Sequence, residues 1–352
     1  VRIITTYWNG KNKFDNYKGI PIIRLLDSKS LFGKLGSIFH LNNITFGLNL
    51  LLKRNFKLYQ DSDVIIIPLA IGFTRFFKLK NIPIISCFLH YDRNVSLVNQ
   101  FNLPIYHYLE KKQLKRHKNI LTISNHSKKD IMRFYGIDKN YINVFPVGID
   151  TTKFNPSNFS IKIREKYGEN ILLCVGPFLR RKQVHILLEA MTKVIKVIPD
   201  VNLILAGDGL LLKDLTKLSN SLNLQDNTDF LGFVEIITLL KLYASCDIFI
   251  HPSEFEGFGQ VILEAIASGA PCICANKEPM SEIVGDAGKT FEVNDHEDLA
   301  EIIIDLLINR EKLKDLKENA IFILKKYNSI KIAKDWSKYI EKTVKVYHKH
   351  KN

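Results

Sequence analysis

Three basic residues in a row are the first candidates for chemistry in this sequence. The run VGPFLRRKQ places Arg180, Arg181 and Lys182 shortly after Gly176, which ends a predicted strand. An Arg side chain can hold a phosphate through two parallel hydrogen bonds, and a Lys side chain supplies a compact positive charge. The run therefore predicts a site for phosphate groups; the alternative is a set of solvated charges at the start of a helix.

A second candidate site lies in HPSEFEGFGQVILEAIASGAP, which predicts a strand, an acidic loop and a helix. Gly257 and Gly259 let a ligand approach the backbone, and the first N–H groups of the helix carry partial positive charge. This helix effect contributes only about 0.3 to 1 kcal/mol. We therefore expect the basic run and this loop to bind one anion together. The glycine turn AGDG at 206–209 is a weaker signal of the same kind.

Two carboxylates in this second segment could bind a sugar. Glu256 lies in the loop, and Glu264 lies in the helix with the apolar neighbours Ile262 and Leu263. A carboxylate accepts hydrogen bonds from the vicinal hydroxyls of ribose or hexose. The apolar neighbours argue against a fully exposed Glu264, so the pair can address two parts of one extended ligand.

The elements that would position these residues follow an α/β pattern. Short β-branched runs alternate with longer segments of helical periodicity, which is typical of βαβ units and a mostly parallel sheet. The predicted strands are residues 1–6, 63–69, 82–88, 119–124 and 142–147, then 171–176, 202–209, 246–253, 270–276 and 289–293. Ligands of such sheets bind beyond the carboxyl ends of the strands, where the candidate residues lie. We predict two doubly wound, Rossmann-like domains.

The domain boundary is predicted in VGIDTTKFNPSN, which has no sustained periodicity. At roughly 100 to 200 residues per domain, a chain of 352 residues holds two domains. We place the first at 1–150 and the second at 151–328. Residues 329–352 are predicted to form a helix that packs back on the first domain, with Trp336, Ile340 and Val344 on one stripe.

The charge of the chain is concentrated in its first part. Residues 1–150 hold 23 Lys and Arg against 9 Asp and Glu, whereas residues 151–352 hold 27 of each sign. This asymmetry predicts an anionic partner. Aromatic residues interleave with bases at 28–39 and 74–81, as in a segment that lies at an anionic membrane surface. An ordinary solvated basic face is the equal alternative, and no nucleic-acid partner is expected because no such motif is present.

Other patterns exclude several classes of protein. No apolar run reaches the roughly 18 residues of a spanning helix, and no secretory signal opens the sequence. Five cysteines, without a C-x-x-C pair, support neither a disulfide framework nor a zinc ribbon, and favour a cytoplasmic protein.

The segment from Glu256 to Ala265 resembles the E-x7-E signature of the retaining family 4 glycosyltransferases. Further segments occur in the order that this family shows: VFPVGIDTTKF, FLGFV, YASCD, the dipeptide PS, GAP and PMSEIVGDAG. Members have the GT-B fold, so the resemblance implies two Rossmann-like domains with a cleft between them.

The resemblance also implies which residues bind the donor, a nucleotide-diphosphate sugar. They are Gly176, Arg181, Lys182, Gly257, Phe258, Gly259 and Glu264. Arg181 and Lys182 would bind the diphosphate, and Glu264 would bind the ribose hydroxyls. Because Pro177 stands where many members have Arg, the hold on phosphate would depend on Arg181 and Lys182.

The catalytic set implied by the resemblance is His90, Glu256, Arg181 and Lys182. Glu256, with the amides near Phe258 and Gly259, would hold the transferred sugar, and His90 in SCFLHYD matches a histidine that points at that sugar. No metal or resident cofactor is expected. The D-x-D at 61–63 is a metal-binding pattern of a different glycosyltransferase fold, in the domain that family 4 does not use for the nucleotide.

The resemblance therefore implies a retaining transfer of a hexose to a hydroxyl of a glycan or lipid-linked acceptor. Such an enzyme would serve polysaccharide or glycolipid synthesis in the cytoplasm, either free or at the inner membrane face. An epimerase or hydrolase of the same fold is one alternative. Another is an inactive membrane-associated fragment, because members usually begin with a strand, a glycine-rich loop and a long helix before the segment that matches VRIITTYWNG. We expect the first domain to be incomplete at its N-terminus.

Overall fold

The computed structural model describes residues 3–6, 14–17, 20–25, 62–68, 82–88, 108, 111–112, 114–116 and 118–349. The chain divides into two compact units. Unit 1 comprises Val1–Phe145 and Trp336–Asn352, and unit 2 comprises Pro146–Asp335. His90, Asp61 and the basic segments at 28–39 and 74–81 lie outside the described residues.

Unit 1 contains two sheets in its described part. The first has the order β1-β3-β2, from β1 Ile3–Thr6, β2 Phe14–Tyr17 and β3 Ile20–Leu25. The second is parallel and has the order β4-β5-β6-β7, from β4 Ile65–Pro68, β5 Ile84–Phe88, β6 Ile120–Thr122 and β7 Ile142–Val144. Helix α1, Asn125–Tyr135, packs on this sheet through Ile131 and Tyr135, which share a core with Phe88 and Ile120.

Unit 2 is built around a six-stranded sheet in which every pairing is parallel. Its strands are β8 Ile171–Val175, β9 Asn202–Ala206, β10 Thr228–Gly232, β11 Ile248–His251, β12 Cys272–Ala275 and β13 Gly288–Phe291. The order is β10-β9-β8-β11-β12-β13. The chain thus winds outward in one direction from β8 and in the other from β11, so the switch point of a doubly wound sheet lies between these two strands.

The helices of unit 2 follow the strands in alternation. They are α2 Ile161–Tyr167, α3 Val184–Val197, α4 Leu212–Ser221, α5 Ile236–Ser245, α6 Gln260–Ala267, α7 Met280–Val284, α8 His296–Ile308 and α9 Arg310–Lys326. The last helix, α10 Ser329–Lys349, has residues in both units. In α3, Leu187, Leu188, Met191 and Val194 are buried, as their spacing predicts.

A buried carboxylate joins the start of the central strands to two helices. Asp247 precedes β11, and its Oδ2 accepts a hydrogen bond from the backbone N–H of Ile171 in β8 at 2.8 Å. The guanidinium of Arg164 in α2 donates to both oxygens of Asp247, at 2.8 and 3.0 Å, and Arg310 in α9 donates at 3.3 Å. These bonds fix the amino ends of the two strands that flank the switch point.

All five cysteines are free thiols, and Cys272 and Cys274 are buried in β12. Among the helices that the structure describes, none combines the length and the apolar character needed to cross a bilayer.

Candidate active site

The candidate site lies at the carboxyl ends of β8 and β11. Arg180–Lys182 form a short 3-10 turn after β8, and the loop after β11 leads to α6. A hydrogen bond holds these segments together, because the carbonyl of Arg181 accepts from the N–H of Glu254 at 2.9 Å, and Ser253 Oγ lies 3.1 Å from the same carbonyl oxygen. The two segments proposed from the sequence to share one anion are therefore neighbours.

One oxygen of Glu256 is the centre of this site. Glu256 Oε1 accepts hydrogen bonds from Arg181 Nη1 at 3.2 Å, from Lys182 Nζ, and from Ser253 Oγ at 3.0 Å. His251 Nε2 lies 3.2 Å from the same oxygen. Burial opposes ionisation of Glu256, but the His251 hydrogen bond and the charge of Lys182 outweigh it and hold the pKa of Glu256 well below its usual value. The carboxylate is therefore charged and neutralises much of the cationic pair.

His251 is a site residue that the sequence analysis did not identify. Its side chain is buried at the end of β11 and stacks on Phe249. Burial lowers the pKa of His251, and the nearby cations lower it further, against the opposing effect of Glu256. A neutral imidazole next to an ionised carboxylate carries its proton on Nε2, so His251 donates to Glu256. The signal available in the sequence was its position as the last residue of a strand at the switch point.

A small pocket opens beside these residues at the end of β8. It is a shallow depression lined by 174–178, Lys182, Val184, His251 and Pro252. Gly176 has a φ of 143° there, and a Cβ at this position would lie 3.8 Å from Lys182 Nζ. Gly207, after β9, could carry no side chain, since its Cβ would lie 1.9 Å from the carbonyl oxygen of Gly176. The glycines at these strand ends allow close approach of the backbone to the pocket.

The turn before α6 offers backbone groups to a ligand. Gly259 is the N-cap of α6 and adopts a φ of 102°, in the left-handed region that favours glycine. The Phe258 ring is buried and packs edge-on against Tyr327, with 5.9 Å between ring centroids. Phe258 can therefore contribute only its backbone, as the sequence analysis proposed for the amides of this turn.

Glu264 lies in α6 with partners of its own. Its Oε2 accepts a hydrogen bond from the hydroxyl of buried Tyr243 at 3.1 Å, and its Oε1 accepts from Gln260 Nε2 at 3.3 Å. Burial raises the pKa of Glu264, while the Tyr243 hydrogen bond acts in the opposite direction. Glu264 is half-buried, which agrees with the apolar neighbours noted in the sequence. Tyr243 belongs to the YASCD segment, and the sequence of that segment does not predict its contact with Glu264.

The structure thus brings Arg181, Lys182 and Glu256 into direct contact and sets Gly176 beside Lys182. In this arrangement the two cations contact Glu256, whereas the sequence analysis assigned them to a diphosphate. The predicted role of His90 stays a prediction, because that residue is outside the described part of the chain.

Comparison with known proteins relates this part of the chain to a family. Residues 157–321 match the family model described as glycosyl transferases group 1. This stretch of the chain is therefore similar to the glycosyl transferases group 1. Arg181, Lys182, Glu256 and Glu264 all lie within the matched residues.

Two curated relatives are similar to about half of the chain. The chain is 31% identical to the O-antigen chain mannosyltransferase B of Escherichia coli, over 56% of this chain and 56% of the relative. It is 29% identical to the alpha-monoglucosyldiacylglycerol synthase of Streptococcus pneumoniae, over 51% of this chain and 42% of the relative. The chain therefore spans about half the length of the curated relatives that it matches.

A solved structure shares the fold along most of the chain. HepE of Anabaena, determined in complex with UDP-glucose, superposes with a TM-score of 0.74 at 20% sequence identity, covering 97% of this chain and 99% of HepE. The fold is the GT-B fold, as the sequence predicted.

Proposed function

We propose that this chain transfers a hexose from a nucleotide-diphosphate sugar to a hydroxyl group of a glycan or a lipid-linked acceptor. The observation that carries the proposal is the pair Arg181 and Lys182, converging on Glu256 at the switch point of the six-stranded sheet. A doubly wound sheet binds its ligand at this point, and two cations there suit a diphosphate.

The two cations would stabilise the leaving group of the reaction. Negative charge grows on the nucleoside diphosphate as the bond between sugar and phosphate breaks. Arg181 Nη1 also donates to the carbonyl of Phe255 at 3.1 Å, and this contact can persist when the donor binds and keep the cation oriented as charge develops. The proposal includes no metal ion, because these two side chains supply the positive charge.

Glu256 would change partners when the donor binds. The donor phosphates attract Arg181 and Lys182, while His251 and Ser253 continue to hold the carboxylate by hydrogen bonds. Glu256 is then an anchored, ionised acceptor for hydroxyls of the transferred sugar. Glu264, oriented by Tyr243, is the corresponding acceptor for the ribose hydroxyls.

The comparisons support the classes of donor and acceptor. HepE was solved with UDP-glucose, and the two relatives are named for a mannosyl transfer to an O-antigen chain and a glucosyl transfer to diacylglycerol. We propose retention of the anomeric configuration by attack on the face that the leaving group departs from, with His90 directed at the donor sugar. We place the reaction on the cytoplasmic side of a membrane, with the basic N-terminal half turned toward the lipid.

The test is turnover of a panel of nucleotide sugars by the wild-type chain and by Lys182→Ala. We expect the variant to lose about 10²-fold or more in turnover, since it lacks a preorganised charge on the leaving group. Lys213→Ala, an exposed residue of α4, is the matched control and should keep the wild-type rate. Equal turnover of wild type and Lys182→Ala contradicts the proposed site. Consumption of the donor at the same rate with and without acceptor would favour a hydrolase or an epimerase.

A further inference from the structure

Helix α10 carries a row of lysines that the proposed reaction does not use. Between Ser329 and Lys349 the lysines follow one another in steps of three and four residues: Lys331, Lys334, Lys338, Lys342, Lys345 and Lys349. At 3.6 residues per turn and 1.5 Å per residue, these six positions fall within an arc of about 80° along about 27 Å of helix. We call this set the lysine face.

The opposite side of α10 is fixed against unit 1. The rings of Trp336 and Tyr339 lie 5.8 and 5.4 Å from the ring of Phe145, measured between centroids. The Tyr339 hydroxyl accepts a hydrogen bond from Asn143 Nδ2 at 3.2 Å, and Thr343 is buried. The helix therefore cannot rotate about its axis without breaking these contacts, and the lysine face is directed to solvent.

The charges of the lysine face are not neutralised by neighbours. All six lysines are exposed, and within the part of the chain that the structure describes none of them forms an ion pair. The helix has two acidic residues, Asp335 and Glu341, and both lie at the edges of the arc. Like charges at this spacing repel one another, so the arrangement weakens the isolated helix slightly. An anionic partner would remove that repulsion.

Apolar side chains border the lysine face on both sides. Ile330 is 65% exposed and Val346 is 45% exposed. Each lies next to the arc on the helical projection, one on either side. Lysine side chains that extend past exposed apolar neighbours are typical of helices that lie in the interface of a bilayer.

We propose that the lysine face binds the anionic headgroups of a lipid bilayer, with α10 lying along the membrane surface. The occupant is a lipid surface rather than a nucleic acid for two reasons. The helix contains six lysines and no arginine, whereas recognition of individual nucleic-acid phosphates and bases favours the bidentate arginine side chain. A straight row of point charges with apolar borders suits a flat, diffuse negative potential. The residues of the lysine face are different from those of the basic segments at 28–39 and 74–81 in the sequence.

The experiment is sedimentation of the full chain with vesicles of phosphatidylcholine, with and without phosphatidylglycerol. The test variant combines Lys338→Gln, Lys342→Gln and Lys345→Gln. The matched control combines Lys213→Gln, Lys217→Gln and Lys241→Gln, which are exposed lysines of α4 and α5. Thermal unfolding of both variants verifies that the fold is kept, as expected for exposed side chains.

We expect the wild type to sediment with phosphatidylglycerol vesicles and less so as salt is raised. The lysine-face variant should bind at least tenfold more weakly, since one lysine near an anionic surface contributes about fivefold to partition. The control variant should bind as the wild type does. Three results would each overturn the proposal: no dependence of wild-type binding on phosphatidylglycerol, equal binding of the lysine-face variant, or tighter binding of the lysine face to duplex DNA than to the vesicles.

Discussion

The carboxylate of Glu256 competes with any anion for Arg181 and Lys182. Both cations donate to its Oε1, and its side chain is only 13% exposed. A ligand that binds these cations must therefore replace hydrogen bonds that already exist. Glu256 consequently weakens the binding of phosphate groups, although we propose that it is needed for the transfer of the sugar.

Because of this competition, removing the charge of Glu256 should strengthen the binding of an anion. We expect Glu256→Gln to bind inorganic pyrophosphate about tenfold more tightly than the wild type, because a charge-assisted hydrogen bond of about 1.5 kcal/mol no longer competes. The same variant should lose sugar transfer. Isothermal titration calorimetry measures the first effect, and Glu235→Gln, an exposed carboxylate at the start of α5, is the control. Weaker pyrophosphate binding by Glu256→Gln would disprove the competition.

His251 gives a second prediction, which concerns pH. Burial and nearby cations lower the pKa of His251 in the folded chain. As the pH falls below 6.5, His251 therefore binds a proton in the unfolded chain but not in the folded chain. The free energy of unfolding should therefore decrease with falling pH in this range. His251→Gln removes that contribution.

The measurement is denaturant unfolding of wild type and His251→Gln at a series of pH values. We expect the stability advantage of the wild type to shrink steadily from pH 7.5 to pH 5.5. A difference between the two proteins that stays constant over this range would mean that His251 is not held neutral by the fold.

Residue types predicted only part of the site. Arg181, Lys182 and Glu256 could be identified because their chemistry and their positions after strands are visible in the sequence. Their convergence on a single oxygen could not, since it depends on side-chain rotamers and on the hydrogen bonds between two loops. His251 was missed for a related reason, because a buried histidine has the same sequence signal whether it packs or donates.

At the scale of elements, the ends of β8 and β9 determine the shape of the pocket. The N–H of Gly207 donates to the carbonyl of Gly232 at 2.8 Å, and the Gly176 carbonyl lies against the Cα of Gly207. The turns after three neighbouring strands are thus in contact, and a change in one of them displaces the others.

This contact predicts a large effect for a small substitution. Gly207→Ala would place a Cβ 1.9 Å from the Gly176 carbonyl oxygen, at a φ of 156°. We expect a loss of about 3 kcal/mol in unfolding free energy and weaker binding of pyrophosphate, since the Gly176 turn must move. Gly136→Ala is a matched control at the C-cap of α1. The φ of Gly136 is 65°, and a Cβ added there would meet no atom of a non-neighbouring residue within 4 Å. That variant should lose only about 1 kcal/mol; an equal loss for both would disprove the close contact.

The elements themselves were largely predictable. β8, β9, β11 and β12 lie within the strands predicted from their apolar, β-branched runs, and β13 overlaps its predicted strand but begins one residue earlier, at Gly288. β10 was missed because TDFLG lies at the edge of the sheet, is nowhere fully buried and lacks a continuous apolar run. β2 and β3 were missed as well. The strand FDNY is polar along most of its length, so its pairing depends on its neighbour rather than on its own propensity.

At the scale of the molecule, unit 2 holds every described residue of the candidate site. A ligand that binds the native unit and not the unfolded chain must raise its stability. The site therefore predicts an effect on global unfolding as well as on catalysis.

We expect pyrophosphate at a hundredfold excess over its dissociation constant to stabilise the wild-type chain by about 2.7 kcal/mol. Lys182→Ala, at the same pyrophosphate concentration, should gain much less because one of the two cations is absent. Differential scanning calorimetry at constant ionic strength measures both. Equal stabilisation of the two proteins would place the bound anion elsewhere.

The strand order explains why fold prediction succeeded at this scale. An alternation of strands and helices allows few arrangements, since crossovers between parallel strands are almost always right-handed. The order β10-β9-β8-β11-β12-β13 is one of these arrangements. The lysine face could not be derived in the same way, because its significance depends on which side of α10 packs against Phe145.

The four contacts to one oxygen of Glu256 also affect which cellular anions can bind to Arg181 and Lys182. Chloride and other monovalent ions are abundant in the cell, and an open pair of cations would hold them. With Glu256 in place, a monovalent ion would have to displace the carboxylate from Arg181 and Lys182, and it would replace one negative charge by another. A molecule with several negative oxygens can replace both contacts at once. At these two cations Glu256 should therefore disfavour monovalent anions more than anions with several charged oxygens.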